Sequence, residues 1–169
     1  MGLDDDFTEF VEARWPALFR LAYLLTASPT AAEDLLQSTL EKAYVKWSRI
    51  HTMEHPEAYV RRMLANNLVS NRRRAWRGEQ PTEHLPEIDH GSEEMPALDR
   101  ALLWPLVCAL PERQRAVIVL RYYEDLSEHE IAEALGCAPG TVKSQTFSAM
   151  KALRRALTAT GIGEAVGEA

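Results

Sequence analysis

The run Ser127-Glu-His-Glu-Ile-Ala-Glu-Ala-Leu-Gly136-Cys-Ala-Pro-Gly140-Thr-Val-Lys-Ser-Gln-Thr146 constrains this chain more than any other stretch. It predicts a helix, a tight turn and a second helix. Ser127 is a good N-cap, and Glu130 three residues on completes a capping box, in which two side chains satisfy backbone N–H groups that a helix start leaves open. Ile131, Ala134 and Leu135 fall on one helical face. Gly136 ends the helix, because the residue there takes a left-handed backbone that glycine enters at low steric cost. Pro139 suits a first helical turn, where its missing N–H is no loss. In the second helix Thr141, Lys143, Ser144, Gln145 and Ser148 turn outward, and Val142, Thr146 and Ala149 turn inward. Lys151, Arg154 and Arg155 follow within reach of phosphates. A polar, non-acidic second helix after such a turn is the pattern of a helix-turn-helix that enters the major groove of DNA. A capped helix pair inside an ordinary all-α core has the same local spacing, so the rest of the chain must discriminate.

A second signal lies in Tyr59-Val-Arg-Arg-Met-Leu-Ala-Asn-Asn-Leu-Val-Ser-Asn-Arg-Arg-Arg-Ala-Trp-Arg77. Val60, Leu64 and Leu68, with Met63 beside them, form an apolar stripe at helical spacing. Arg62, Asn66, Asn67, Ser70 and Asn71 fall on the more exposed faces, and Arg72, Arg73, Arg74 and Arg77 gather at the C-terminal end. Arginine binds phosphate with charge-assisted forks, and asparagine pairs with adenine edges. Trp76 offers a stacking surface. A helix C-terminus favours cations by its dipole, but two or three would suffice for that.

The net charge of −6 runs against nucleic-acid binding only until it is mapped. Residues 78–99 carry Glu79, Glu83, Glu87, Asp89, Glu93, Glu94 and Asp99 with no Lys or Arg, whereas residues 61–77 carry six Arg and no acid. Fields are screened over about 8–10 Å at physiological salt, so the local patch outweighs the total. The 46% apolar content suffices for real cores, and no apolar run is long enough for a bilayer span. The acidic start Met-Gly-Leu-Asp-Asp-Asp lacks the parts of a signal peptide. Cys108 and Cys137 stand far apart with no CxxC partner, which predicts a reduced, cytoplasmic setting without disulfides. The histidines show no metal-ligand spacing. No nucleophile–base pair, metal cluster or phosphate loop stands out, so the expectation is no enzyme, no metal and no cofactor.

The expected fold class is all-α: two small helical domains joined by a flexible acidic linker. The first runs over residues 4–77. Its opening amphipathic segment Phe7–Trp15 meets Pro16, which predicts a break or restart before Ala17–Leu25. Ser28-Pro29 reads as a cap and first turn for a helix to about Trp47, and His55-Pro56 restarts the chain for a helix to about Trp76. Residues 78–96, rich in Pro and acids, read as the exposed linker. The second domain, 97–158, holds an apolar helix ending near Leu110, a helix from Pro111 through Tyr123, and the helix-turn-helix. Residues 159–169 read as a flexible tail.

Taken together the blocks resemble an RNA polymerase sigma factor of the extracytoplasmic-function (ECF) type, in the sigma-70 family, with wording close to an actinobacterial SigE-like branch. The likeness spans nearly all of Phe7 to Leu157. Ala32-Glu-Asp-Leu-Leu-Gln-Ser-Thr-Leu-Glu-Lys-Ala-Tyr-Val-Lys-Trp47 resembles the family's core-polymerase-binding helix, Tyr59–Arg77 its −10 helix, and Leu110–Tyr123 with Gly140–Gln145 its −35-binding domain. The resemblance implies that Asp34, Leu35, Gln37, Ser38 and Glu41 meet core polymerase at the β′ clamp helices, with the β flap as a second contact. It implies that Arg61, Arg62, Asn66, Asn67, Asn71, Arg72, Arg73 and Arg74 line the opened −10 strand, and that the Arg49–His55 loop receives a flipped base. The implied −35 set is Thr141, Val142, Lys143, Ser144, Gln145, Ser148 and Lys151, although spacing turns Val142 inward. An anti-sigma protein is a further implied partner, and membrane insertion is not expected. The acidic linker would lie in the polymerase's positive channel. Two departures stand out: relatives commonly carry Arg at or beside Ser148, and Ala138 is a poor N-cap, worth ~1 kcal/mol less than Ser.

Two rival readings make different demands. A conventional dimeric helix-turn-helix regulator would bind duplex half-sites without polymerase. A helical scaffold would show no salt-dependent DNA binding.

Overall fold

The computed structural model describes residues 2–75 and 97–161, with side chains described over 2–72 and 103–161. The expected linker 78–96, Trp76, Arg77 and the end of the tail lie outside the described residues, as do the side chains of Arg73 and Arg74. The chain forms two compact units. Every regular element among the described residues is helical.

The first unit contains α1 (Leu3–Thr26), α2 (Pro29–Val45), the one-turn α3 (Trp47–Ile50) and α4 (Pro56–Ala75). In α1, Leu18, Leu21, Ala22 and Leu25 recur at helical spacing and are fully buried. They pack on Ala32, Leu35, Leu36, Leu40 and Ala43 of α2 and on Val60, Leu64, Ala65 and Leu68 of α4. Pro16 does not break α1, contrary to the sequence expectation. It sits on the solvent side, where water can take the place of the lost backbone bond, while the buried stripe from Leu18 holds the half after it and Phe7 and Phe10 on Trp47 hold the half before it. Asp4, Asp5 and Asp6 in the first turn suit the positive end of the helix dipole. They also tie α1 down: Tyr44 donates its hydroxyl to Asp4 at 2.8 Å, and Trp47 donates Nε1–H to Asp6 at 3.0 Å. Phe7 and Phe10 pack against Trp47, and Phe7 against Tyr44, with ring centroids 4.8–5.2 Å apart.

Ser28 caps α2 as expected, accepting the Ala31 N–H at 3.3 Å ahead of Pro29. The helix stops at Val45 rather than running to Trp47, and α3 turns Trp47 and Ile50 into the core.

The second unit contains α5 (Ala97–Cys108), α6 (Glu112–Tyr122), α7 (Glu128–Leu135) and α8 (Pro139–Ala159). α8 packs on α6 and α5, with Leu110, Ile118 and Ala149 at a small core flanked by Met150, Ala152 and Leu153. Arg115 is only 8% exposed and donates to the Cys108 carbonyl at 2.9 Å, capping the C-terminal end of α5. A buried guanidinium in this role was not anticipated from the sequence, where it reads as one of several charges in Pro-Glu-Arg-Gln-Arg.

Candidate nucleic-acid interface

The helix-turn-helix forms as its local chemistry dictates. Ser127 N–H donates to Glu130 Oε2 at 2.8 Å and Glu130 N–H donates to Ser127 Oγ at 3.2 Å, closing the capping box. Gly136 has φ +64°, and the Cys137 N–H bonds the Ala132 carbonyl at 3.0 Å, which is the six-to-one closure of a Schellman turn. Ala138 then starts α8 from an extended conformation with no side-chain cap.

α8 carries Lys143, Lys151, Arg154 and Arg155 and no carboxylate. Lys143, Ser144, Ser148 and Lys151 are exposed, and Thr141 and Gln145 are half-buried at the edges of that face. Phe147 stands among them, 71% exposed, where a residue placed only for packing would be covered. Val142 is a correction to the −35 set: it is 0% exposed, so it faces the interior. It presents nothing to a ligand.

In the first unit the polar faces of α2 and α4 separate. Asp34, Gln37 and Glu41 are exposed along one side of α2, with Ser38 at its edge. Val45 extends that side as an 81%-exposed apolar residue that the sequence reading passed over. Leu35 is a correction to this set: it is buried at 3% and serves the α1–α2 core. On α4, Arg62, Asn66 and Arg72 are exposed and Asn71 is half-buried. Arg61 is half-buried and pairs with Glu57 through Nε at 3.1 Å and Nη2 at 2.8 Å. Arg14 of α1 reaches the same carboxylate at 3.1 Å. The Arg61 charge is therefore largely engaged within the unit.

Asn67 is the clearest departure from the sequence reading. It is 4% exposed rather than on an open face, and its amide is spent between α4 and α2. It donates to Ser38 Oγ at 2.7 Å and Thr39 Oγ1 at 3.0 Å, and its carbonyl oxygen accepts from Lys42. A polar side chain on the stripe beside Leu64 and Leu68 stays buried because α2 supplies every partner.

In the Arg49–His55 segment, Ile50 is fully buried and belongs to the core. Arg49, Thr52, Glu54 and His55 are exposed, and the turn is closed by the Met53 N–H on the Ile50 carbonyl at 3.0 Å.

Two helical units, one ending in a helix-turn-helix whose outer face is cationic and polar, define a DNA-binding transcription factor. Models of known families match both halves: sigma-70 region 2 over residues 10–78 and sigma-70 region 4 over residues 93–153. The chain is 40% identical to the RNA polymerase sigma-E factor of Streptomyces coelicolor over 94% of its own length and 90% of that protein's. It is 35% identical to the ECF RNA polymerase sigma factor SigL of Mycobacterium tuberculosis, over 86% of this chain and 85% of that one. Among solved structures, the sigma factor RpoE of Bartonella quintana in complex with the anti-sigma factor NepR matches with a TM-score of 0.69 at 28% identity, covering 90% of this chain and 97% of that one. The chain belongs to the sigma-70 family and is an ECF RNA polymerase sigma factor. A likeness that runs through both halves does not favour the dimeric regulator. No helix among the described residues is long and apolar enough to cross a membrane.

Proposed function

We propose that this sigma factor docks on the β′ clamp helices of core polymerase through the exposed side of α2, with Asp34, Gln37 and Glu41 as its contacts and Ser38 at the edge. The module of α5–α8 meets the β flap and reads the −35 duplex through Lys143, Ser144, Gln145, Ser148 and Lys151, with Thr141 beside them. Arg62, Asn66, Asn71 and Arg72, continued by Arg73 and Arg74, receive the opened −10 strand, and the Arg49–His55 turn receives its flipped base. The domains run over 4–77 and 97–158, joined by the acidic segment 78–96 and followed by the tail 159–169. The factor acts in the cytoplasm without cofactor or metal, and the chemistry belongs to the polymerase. An anti-sigma protein as a further partner is supported by the NepR complex of the RpoE relative.

The observation that carries this reading is the segregation of charge by face. α8 holds four cations and no acid, α4 has no acid beyond Glu57, and the outer side of α2 is acidic and polar. A polyanion is attracted to the first two surfaces and repelled by the third. Unwinding costs a few kcal/mol per unstacked step, which capture of the splayed strand must offset. The test is reconstitution with core polymerase on a promoter library, scored for defined transcript starts. Lys143→Ala and Gln145→Ala should each lower −35-dependent transcription about fivefold, the effect of roughly 1 kcal/mol of lost contact, with core affinity intact. Asn66→Ala should lower open-complex formation more than closed-duplex binding. Loss of core binding in the α8 variants, or equal losses for Asn66→Ala in both assays, would refute the assignment.

A further inference from the structure

Asn67 connects two surfaces without belonging to either. Its amide is fully engaged by one turn of α2, and the proton accounting closes. Thr39 Oγ1–H donates to the Leu35 carbonyl at 2.7 Å, and Ser38 Oγ–H donates to the same carbonyl at 3.1 Å. Both hydroxyls have therefore spent their hydrogens and can only accept, which is what the two Asn67 N–H groups require. The Lys42 ammonium on the amide oxygen fixes the orientation, since a flipped amide would set its N–H groups against a cation. The cluster lies beneath the outer side of α2: Ser38 is one turn from Asp34, and Lys42 adjoins Glu41. On α4, Asn67 adjoins exposed Asn66 and is one turn from Asn71.

We propose that Asn67 is a positioning residue that pins the rotation and register of α4 against α2, so that docking of α2 on polymerase presents Asn66 and Asn71 already aligned for the opened strand. The proposal rests on the assignment of α2 to polymerase and α4 to the −10 strand. Apolar stripes alone would hold the two helices together, but they leave small slides nearly isoenergetic. A buried amide behaves differently: a shift that breaks its bonds leaves desolvated donors unpaired, so one arrangement is singled out.

The experiment uses the full chain with core polymerase and measures polymerase affinity and competitor-resistant open complex separately. Thr39→Val keeps side-chain volume, removes one acceptor from Asn67 and lies away from the strand. It should lower open complex about fivefold, with polymerase affinity changed by less than about twofold. Thr39→Ser should restore the wild-type level. Asn67→Ala should show a loss of similar size, and the double variant should lose little more, because both remove the same connection. Leu21→Val, a core change on α1 that lowers melting temperature without touching the network, should leave open complex near wild type. The proposal is overturned if Thr39→Val is silent while Asn67→Ala is not, because Asn67 would then act on DNA directly. It is equally overturned if the two losses add, or if Leu21→Val loses as much open complex as Thr39→Val at matched melting temperature. A wild-type chain that forms no open complex at all would overturn the underlying assignment of the helices, and the proposal with it.

Discussion

Two helices of this protein begin in the same way and differ at one atom. Ser28-Pro29 opens α2 and Ala138-Pro139 opens α8, each from an extended N-cap, with φ −143° and ψ 126° at Ser28 and φ −74° and ψ 149° at Ala138. Ser28 Oγ accepts the Ala31 N–H at 3.3 Å, whereas Ala138 has nothing to offer. Ala138 is exposed, so a hydroxyl there meets no steric barrier. Ala138→Ser should therefore stabilise the first turn of α8 by about 1 kcal/mol, the usual worth of such a cap. At 25 °C that slows local opening about fivefold, which hydrogen exchange of the α8 amides reads directly. Ser28→Ala should speed exchange in α2 by a similar factor. Ala138→Asp should match or exceed the serine gain, since a carboxylate also suits the helix dipole. On the proposed reading it would nevertheless place a negative charge at the end of α8 that meets DNA, so promoter binding should fall while Ala138→Ser binds no worse than wild type. Unchanged exchange in Ala138→Ser would refute the cap geometry. Promoter binding by Ala138→Asp equal to that of Ala138→Ser would refute the placement of this helix end against DNA.

The turn and the interior of the second unit yield further expectations. Gly136 has φ +64°, and a Cβ added there meets nothing within 4 Å. Gly136→Ala should therefore cost only backbone strain, about 1–2 kcal/mol in thermal unfolding, and Gly136→Asn less. A neutral alanine would mean the turn is not left-handed. Burial pushes the Cys108 thiol from 9.0 up to about 11, against the opposing pull of Arg115. Native Cys108 should therefore react with a thiolate-selective reagent at pH 8 much more slowly than the unfolded chain does. The same shift has a thermodynamic sign. The neutral thiol is favoured in the folded state, so its contribution is complete below the ordinary thiol pKa and is lost as pH rises from about 9 to about 11. Burial raises the Tyr123 hydroxyl in the same direction, which adds to the alkaline loss. Cys108→Ala should flatten part of the fall in melting temperature over that window, and an unchanged profile would count against the burial of the thiol.

The residues that sequence reasoning placed well are those governed by near neighbours. The Ser127–Glu130 box, the Gly136 turn, the Ser28-Pro29 start and the polarity of α8 each involve groups within a few positions of one another. Their chemistry was on view in the chain. The misplacements concern partners far apart in sequence. Asn67 reads as a surface amide until α2 brings Ser38, Thr39 and Lys42 to it from 25 to 29 residues away. Arg61 reads as a strand-facing cation until Arg14, brought in from α1, joins it on the Glu57 carboxylate; the i,i+4 pairing with Glu57 itself was a local signal that went unused.

The amino-acid sequence by itself determined that this is an all-helical sigma-type chain with a helix-turn-helix whose second helix is polar and cationic, because helix caps, turn glycines and charge by segment are short-range properties. Only the tertiary structure decided that α1 runs unbroken through Pro16, that Leu35 and Asn67 face inward, and that a buried amide joins α2 to α4. Those outcomes depend on which faces pack, and about half a turn of rotation about a helix axis exchanges a buried side chain for an exposed one without altering any local signal.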